Sequence, residues 1–296
     1  MSKPIFTGSG VAIVTPMNAD GSVNYEELGR LIEFQIENGT DAIIACGTTG
    51  ESATLNHEEH CGVIKYTIEK VNGRVPVVAG TGSNDTAYAI ELTKEAKKLG
   101  ADGVLSVTPY YNKSSQAGLV AHFKAIAEAV DIPIIVYNVP SRTGCNIQPA
   151  TYVELSKIPN IVATKEAGEK VGEVAKIISM CGGDLDIYTG CDDLTVPVMS
   201  LGGIGVISVF ANVCPKEMHE ITKLCLDGNF AEASKMHLHY LELMNALFCD
   251  VNPIPVKEAV NMLGFNAGIC RLPLVPMSEK TTEYLKSVMA KYDLIK

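Results

Sequence analysis

The chain has 296 residues, 47% of them hydrophobic, and a formal net charge of −10. That hydrophobic share is enough for a large core and excludes a disordered chain, and the length suits one barrel of about 250 residues plus an extension. The acidic balance argues against duplex nucleic acid or an anionic membrane surface as a partner, and there is no run of about 18 apolar residues to span a bilayer.

Eight short apolar runs recur along the chain, at residues 11–14, 42–46, 75–79, 103–107, 134–137, 161–164, 186–189 and 205–209. They are nearly continuous rather than alternating, as strands buried on both faces are. Helical patterns fill the gaps. Asn24 followed by Glu27, and Asn56 followed by Glu59, carry the signature of an N-cap with an acidic third residue. Gly39, Gly73 and Gly100 mark helix ends before the second, third and fourth strands. Eight strands alternating with helices predict an α/β fold, a closed (β/α)8 barrel. A doubly wound open sheet is the alternative, with fewer strands. After residue 209 only helices are expected, at 217–226, at 230–248, following Pro253 and Pro255 as far as 263, and at 278–292. The barrel is assigned to residues 1–228 and a C-terminal helical extension to 229–296.

The nine cysteines form no C-x-x-C pair and no Cys/His cluster with zinc spacing. They read as reduced thiols of a cytoplasmic protein with no metal and no cofactor. Met1-Ser2-Lys3-Pro4 does not open a signal peptide.

In a parallel barrel the chemistry gathers at the C-terminal ends of the strands. The second run ends in Gly47-Thr48-Thr49-Gly50-Glu51-Ser52. Two glycines around two hydroxyls allow a tight turn whose N–H groups can hold a carboxylate, although an ordinary βα turn reads the same way. The fifth run ends in Tyr137-Asn138-Val139-Pro140-Ser141-Arg142-Thr143-Gly144. Tyr137 can cap the core or relay protons, and Arg142 can bind a carboxylate or be a solvated charge. Lys165 follows the sixth run directly. Burial there disfavours the ammonium, and the free amine can attack a ketone to form an iminium, an electron sink. The plain alternatives are that Lys165 snorkels to solvent or pairs with Glu166. His57 and His60 lack a third metal ligand, and His237 and His239 read as structural. Asp192 and Asp193 could be a metal pair, but they stand at a helix start, where carboxylates favour the dipole.

Together, Gly47-Thr48-Thr49-Gly50-Glu51, Tyr137-Asn138-Val139-Pro140 and Lys165-Glu166 resemble the N-acetylneuraminate lyase/dihydrodipicolinate synthase family, from about Gly8 to the end of the chain. Thr108-Pro109-Tyr110-Tyr111-Asn112-Lys113 and Ser141-Arg142-Thr143-Gly144 are similar to the members that condense pyruvate with L-aspartate 4-semialdehyde toward diaminopimelate and lysine. The resemblance implies that Lys165 forms an imine with pyruvate and that Tyr137 relays protons. It implies that Thr48 links Tyr137 to Tyr111, which reaches into a neighbouring subunit. Thr49 would hold the pyruvate carboxylate, Arg142 the carboxylate of the semialdehyde, and Gly190 and Ile207 would line the pocket through backbone groups. A homotetramer built as a dimer of dimers is implied as well. So is a regulatory lysine site around Ser52, Ala53, His57, His60, Asn84 and Tyr110, but its expected acidic residue falls on Tyr88. Lysine inhibition is therefore expected to be weak or absent. The rivals are a sister aldolase acting on sialic acid or a 2-keto-3-deoxy sugar acid, and a non-catalytic ligand-binding barrel.

Overall fold

The computed structural model describes residues 4–296, so part of the leader expectation, at residues 1–3, lies outside the described residues. Eight parallel strands close a barrel in chain order: β1 (Gly8–Ala12), β2 (Ala42–Ala45), β3 (Val77–Gly80), β4 (Gly103–Val107), β5 (Ile134–Asn138), β6 (Ile161–Glu166), β7 (Asp186–Thr189) and β8 (Gly205–Ser208). Helices α1 (Tyr25–Glu37), α2 (His57–Val71), α3 (Thr86–Leu99), α4 (Gln116–Ala129), α5 (Pro140–Thr143), α6 (Pro149–Leu155), α7 (Val171–Cys181), α8 (Thr195–Ser200) and α9 (Pro215–Leu226) run between and after the strands. Three more follow: α10 (Phe230–Ala246), α11 (Ile254–Met262) and α12 (Glu279–Lys291). Among the described residues no helix is long and apolar enough to cross a membrane.

Local chemistry sets the boundaries. Asn24 accepts from the Glu27 N–H at the start of α1, and Asn56 and Glu59 form a full capping box on α2. Gly39, Gly73 and Gly100 all take positive φ, the left-handed turn that ends a helix and starts the return to a strand. As expected, a helix follows Pro253: Pro253 caps α11 and Pro255 lies in its first turn, where a proline forfeits no helical hydrogen bond. The first strand begins at Gly8, three residues before the expected start, and ends at Ala12. Glycine at position 10 is required by packing: a Cβ there would lie 2.6 Å from Ile44 Cδ1 and 2.7 Å from Phe6 Cζ.

Alternation along the strands separates two cores. Val11, Ile43, Val77, Val104, Ile134 and Ile187 face outward beneath the helices. Ala12, Ile44, Val78, Leu105, Ile135, Tyr137, Ala163 and Ile207 fill the barrel. On β6 the alternation is broken once. Ile134 pairs with Ile161, but Ile135 pairs with Ala163, so Val162 is an extra residue at a bulge. Ile161 faces outward, Val162 and Ala163 both pack on the inner cluster, and two residues later Lys165 also faces inward. Without the bulge, Ile161 outward would put Lys165 outward too.

Candidate active site

Lys165 lies within β6, beside Tyr137 of β5 and Tyr188 of β7 in the strand register. It is only 6% exposed. Its Nζ sits 4.4 Å from the centre of the Tyr137 ring, where the face of the aromatic attracts a cation. Neither plain alternative describes this lysine. It is too buried to snorkel, and Glu166, as the next residue of a strand, faces the opposite side. There Glu166 accepts from the Asn138 side chain at 3.0 and 3.1 Å, from the Tyr152 hydroxyl at 2.9 Å and from the Gly168 N–H at 2.8 Å. Burial nonetheless pushes its carboxyl above the usual range. The two neighbours thus have separate tasks: one faces the barrel mouth, the other ties β6 to β5 and α6.

Lys165 opens on a cavity of about 360 Å³ at the C-terminal ends of the strands. Thr48, Thr49, Tyr137, Arg142 and Gly190 share that lining. Glycine at 190 is a matter of room, because a Cβ there would lie 2.7 Å from Lys165 Cε and 2.8 Å from Ala167 Cβ. Ile207 is fully buried deeper in the barrel and contributes no surface to the cavity. Tyr111 is also outside it. Its backbone is left-handed at φ 69°, and its side chain is 92% exposed and takes no part in the lining of its own chain's cavity.

The turn after β2 is held from several directions. The Thr48 and Thr49 N–H groups donate to no protein group among the described residues, which leaves them for an anion. Thr49 accepts at its hydroxyl from the Asn252 side chain, 3.2 Å away, and Arg142 donates to the Asn252 carbonyl at 3.1 Å. Asn252 therefore couples both expected carboxylate binders. Glu51 closes the turn in the left-handed region at φ 56° and is 5% exposed. Its Oε1 is 2.6 Å from the buried ammonium of Lys257, and its Oε2 accepts from the Arg271 N–H at 2.9 Å. The Arg271 guanidinium donates to the carbonyls of Gly21 and Thr54 and to Glu59, whose carboxyl it holds below the usual range. The C-terminal extension thus contributes Asn252, Lys257 and Arg271 to the support of the turn, and Met244, Asn245 and Phe248 to the cavity wall. Sequence reasoning missed these six. Only Lys257 left a signal, as one charge in the apolar stretch Ile254-Pro255-Val256-Lys257.

Asp192 corrects an expectation. It is 2% exposed, and its Oδ2 accepts from the Val209 and Phe210 N–H groups at 3.0 and 2.9 Å, so it braces the turn after β8 rather than its own helix start. Burial pushes its carboxyl up. Among the described residues no group of three or more His, Cys, Asp or Glu could hold a metal.

A second cavity, of about 450 Å³, adjoins the first and shares Thr48, Val139, Arg142 and Asn252 with it. Ser52, Ala53, His60 and Tyr110 line it, as does Tyr88. His57 and Asn84 stand behind: the Tyr88 hydroxyl lies 3.4 Å from His57 Nδ1, and Asn84 donates to the Tyr110 carbonyl at 3.1 Å. His60 Nε2 donates to the Gly80 carbonyl at 2.7 Å, and burial holds its imidazole below the usual range, hence neutral. The one carboxylate on this wall, Glu51, is already engaged by Lys257.

The dihydrodipicolinate synthetase family model matches residues 5–292. The 4-hydroxy-tetrahydrodipicolinate synthase of Acetivibrio thermocellus is 57% identical over 295 residues, which covers 100% of both chains. Among solved structures, dihydrodipicolinate synthase from Aquifex aeolicus superposes with a TM-score of 0.96 at 48% identity, covering 98% of this chain and 99% of that one. The chloride-inhibited dihydrodipicolinate synthase from Acinetobacter baumannii, complexed with pyruvate, gives a TM-score of 0.96 at 47% identity with the same coverage.

Proposed function

The chain belongs to the dihydrodipicolinate synthetase family, and from that premise we propose that Lys165 is the nucleophile with which it condenses pyruvate and L-aspartate 4-semialdehyde to 4-hydroxy-tetrahydrodipicolinate. The reaction is a step toward diaminopimelate and lysine. The observation that carries the role of Lys165 is its place: a buried amine facing a cavity at the barrel mouth, beside a tyrosine and under a glycine that leaves it room.

The chemistry follows from the groups present. The Lys165 amine attacks the keto carbon of pyruvate, water leaves, and the iminium draws electrons from the adjacent methyl carbon. Loss of a proton there gives an enamine, which attacks the aldehyde of the second substrate; the amine of that substrate then replaces Lys165 at the iminium carbon, closing the ring and freeing the lysine. Tyr137 moves the protons. Thr49 and the free N–H groups of the β2 turn hold the pyruvate carboxylate, and Arg142 holds that of the semialdehyde. Gly190 gives the iminium space; Ile207 supports it from below. Thr48 relays between Tyr137 and a Tyr111 that comes from a second copy of the chain, since Tyr111 is exposed and does not line its own cavity. The assembly proposed is a homotetramer, a dimer of dimers, in the cytoplasm. Residues 1–228 form the barrel that carries the lysine, and residues 229–296 the extension that walls and braces its mouth. The second cavity is the counterpart of a regulatory lysine site, formed by Ser52, Ala53, His57, His60, Asn84 and Tyr110, with Tyr88 in place of an acid.

Borohydride reduction in the presence of pyruvate tests the central role. The expected outcome is a pyruvyl adduct mapped to Lys165, and none in Lys165→Ala. An unmodified native protein would remove Lys165 as the nucleophile. Assaying turnover of pyruvate with aspartate semialdehyde beside cleavage of N-acetylneuraminate separates the reading from a sister aldolase.

A further inference from the structure

Thr49 brings two donors to the pyruvate carboxylate, its backbone N–H and its hydroxyl, and they differ in kind. An N–H can only donate. A hydroxyl donates or accepts according to where its hydrogen turns. A carboxylate only accepts, so the Thr49 hydroxyl serves it only while that hydrogen is directed into the cavity.

We infer that Asn252 fixes this direction and is a positioning residue for the pyruvate carboxylate; the inference rests on the role of Thr49 proposed above. Asn252 Nδ2 donates to Thr49 Oγ1 at 3.2 Å. The amide hydrogen takes a lone pair of the hydroxyl, which keeps the hydroxyl hydrogen from pointing at Asn252. Thr49 lines the cavity of Lys165, and among the described residues its hydroxyl donates to no protein group. The hydrogen is left for an acceptor that enters the cavity.

The surroundings of Asn252 separate this task from support of the fold. The residue is 5% exposed, and among the described residues its side chain makes that one hydrogen bond, with its amide oxygen buried and accepting from nothing. Burying an amide with half its bonding capacity unused costs stability that an apolar side chain of the same branching would not. The neighbouring contacts do not use the amide. The backbone carbonyl of Asn252 accepts from Arg142 Nη2 at 3.1 Å. Further along the chain, Lys257 grips Glu51 at 2.6 Å and ties this segment to the same β2 turn. Arg142 is therefore served by the backbone at 252 and Thr49 by the side chain, so replacing the side chain should disturb one substrate and not the other.

The test is steady-state kinetics with both substrates varied, together with thermal unfolding, on the native enzyme, Asn252→Leu, Asn252→Asp, Thr49→Val and the double variant of Asn252→Leu with Thr49→Val. In Asn252→Leu, kcat/KM for pyruvate should fall about fivefold, the scale of one hydrogen bond. In Asn252→Asp it should fall about tenfold or more, because a carboxylate accepts the Thr49 hydrogen and sets a like charge near that of pyruvate. For L-aspartate 4-semialdehyde kcat/KM should stay native in Asn252→Leu, and the Tm of that variant should not drop. Once Thr49→Val has removed the hydroxyl, adding Asn252→Leu should cost nothing more. A native kcat/KM for pyruvate in both Asn252 variants would overturn the inference. So would an equal fall for both substrates with a lowered Tm, which is structural damage, or a loss in the double variant that is the product of the two single losses. Asn252→Asp keeps the size and branching of the native residue and carries the comparison if Asn252→Leu does not fold. Two further outcomes strike the premise instead: native pyruvate kinetics in Thr49→Val would overturn the role of Thr49, and a native enzyme that traps no pyruvate with borohydride would overturn the condensation reading.

Discussion

The turns after β2 and after β4 both stand at the mouth of the barrel, and they are built in opposite ways. The first, from Gly47 to Ser52, is anchored inside its own chain. Glu51 meets Lys257, and the Arg271 backbone and Asn252 complete the hold. The second carries Tyr111 into solvent, 92% exposed on a left-handed backbone, and holds only its neighbours, through Asn84 and Asn112. A large exposed aromatic in a strained turn gains nothing from its own fold. The difference teaches where each turn finds its support: the first in the C-terminal extension, the second, by our reading, in another copy of the chain.

Breaking the internal anchor should have the largest effect. Lys257→Met leaves the Glu51 carboxylate buried without its ammonium, which is expected to cost about 3–5 kcal/mol. Denaturant unfolding measures this. Adding Glu51→Gln to Lys257→Met should recover a good part of the loss, since the uncompensated charge goes. If Lys257→Met alone lies within experimental error of the native protein, the turn is not held by this pair. Tyr111→Phe probes the opposite design. Turnover should fall about 10- to 100-fold, the range of a displaced proton relay, while stability and the borohydride-trapped pyruvate adduct stay as they are. Sedimentation of a fully active monomer would dissolve the contrast between the two turns. The smallest effect is expected from free lysine. The cavity behind the β2 turn offers a lysine ammonium only Glu51, which Lys257 already occupies, and Tyr88 offers a neutral hydroxyl. Calorimetric titration should show no binding in the micromolar range, and a micromolar affinity would refute this.

The strands were legible in the sequence because a strand buried on both faces is a hydrophobic run. The helix starts were legible because Asn24 and Asn56 cap within a few residues. The first strand was set late because Gly8-Ser9-Gly10 reads as a turn, whereas Phe6 and Ile44 crowd Gly10 so closely that only glycine fits. Thr49, Tyr137 and Arg142 stood out as candidates because the chemistry of a parallel barrel gathers at its strand ends, a local rule; Gly190 came only through the resemblance. Asn252 could not. Its partner Thr49 is 203 residues away, and no periodicity connects them. Asp192 was misread for the same reason: its charge serves the β8 turn, visible only once the barrel closes.

Val162 has the longest reach of any residue that touches no substrate. A strand is a text read in twos, and Val162 is an inserted letter. Everything before it on β6 is read in one frame and everything after it in the other. Flatten the bulge with Val162 kept in the strand, and Glu166 rather than Lys165 would be presented to the cavity, a carboxylate in place of an amine. The identity of the proposed nucleophile is written at position 165, but the side it faces is decided three residues earlier, by a residue whose own side chain is ordinary and whose contribution is to be counted.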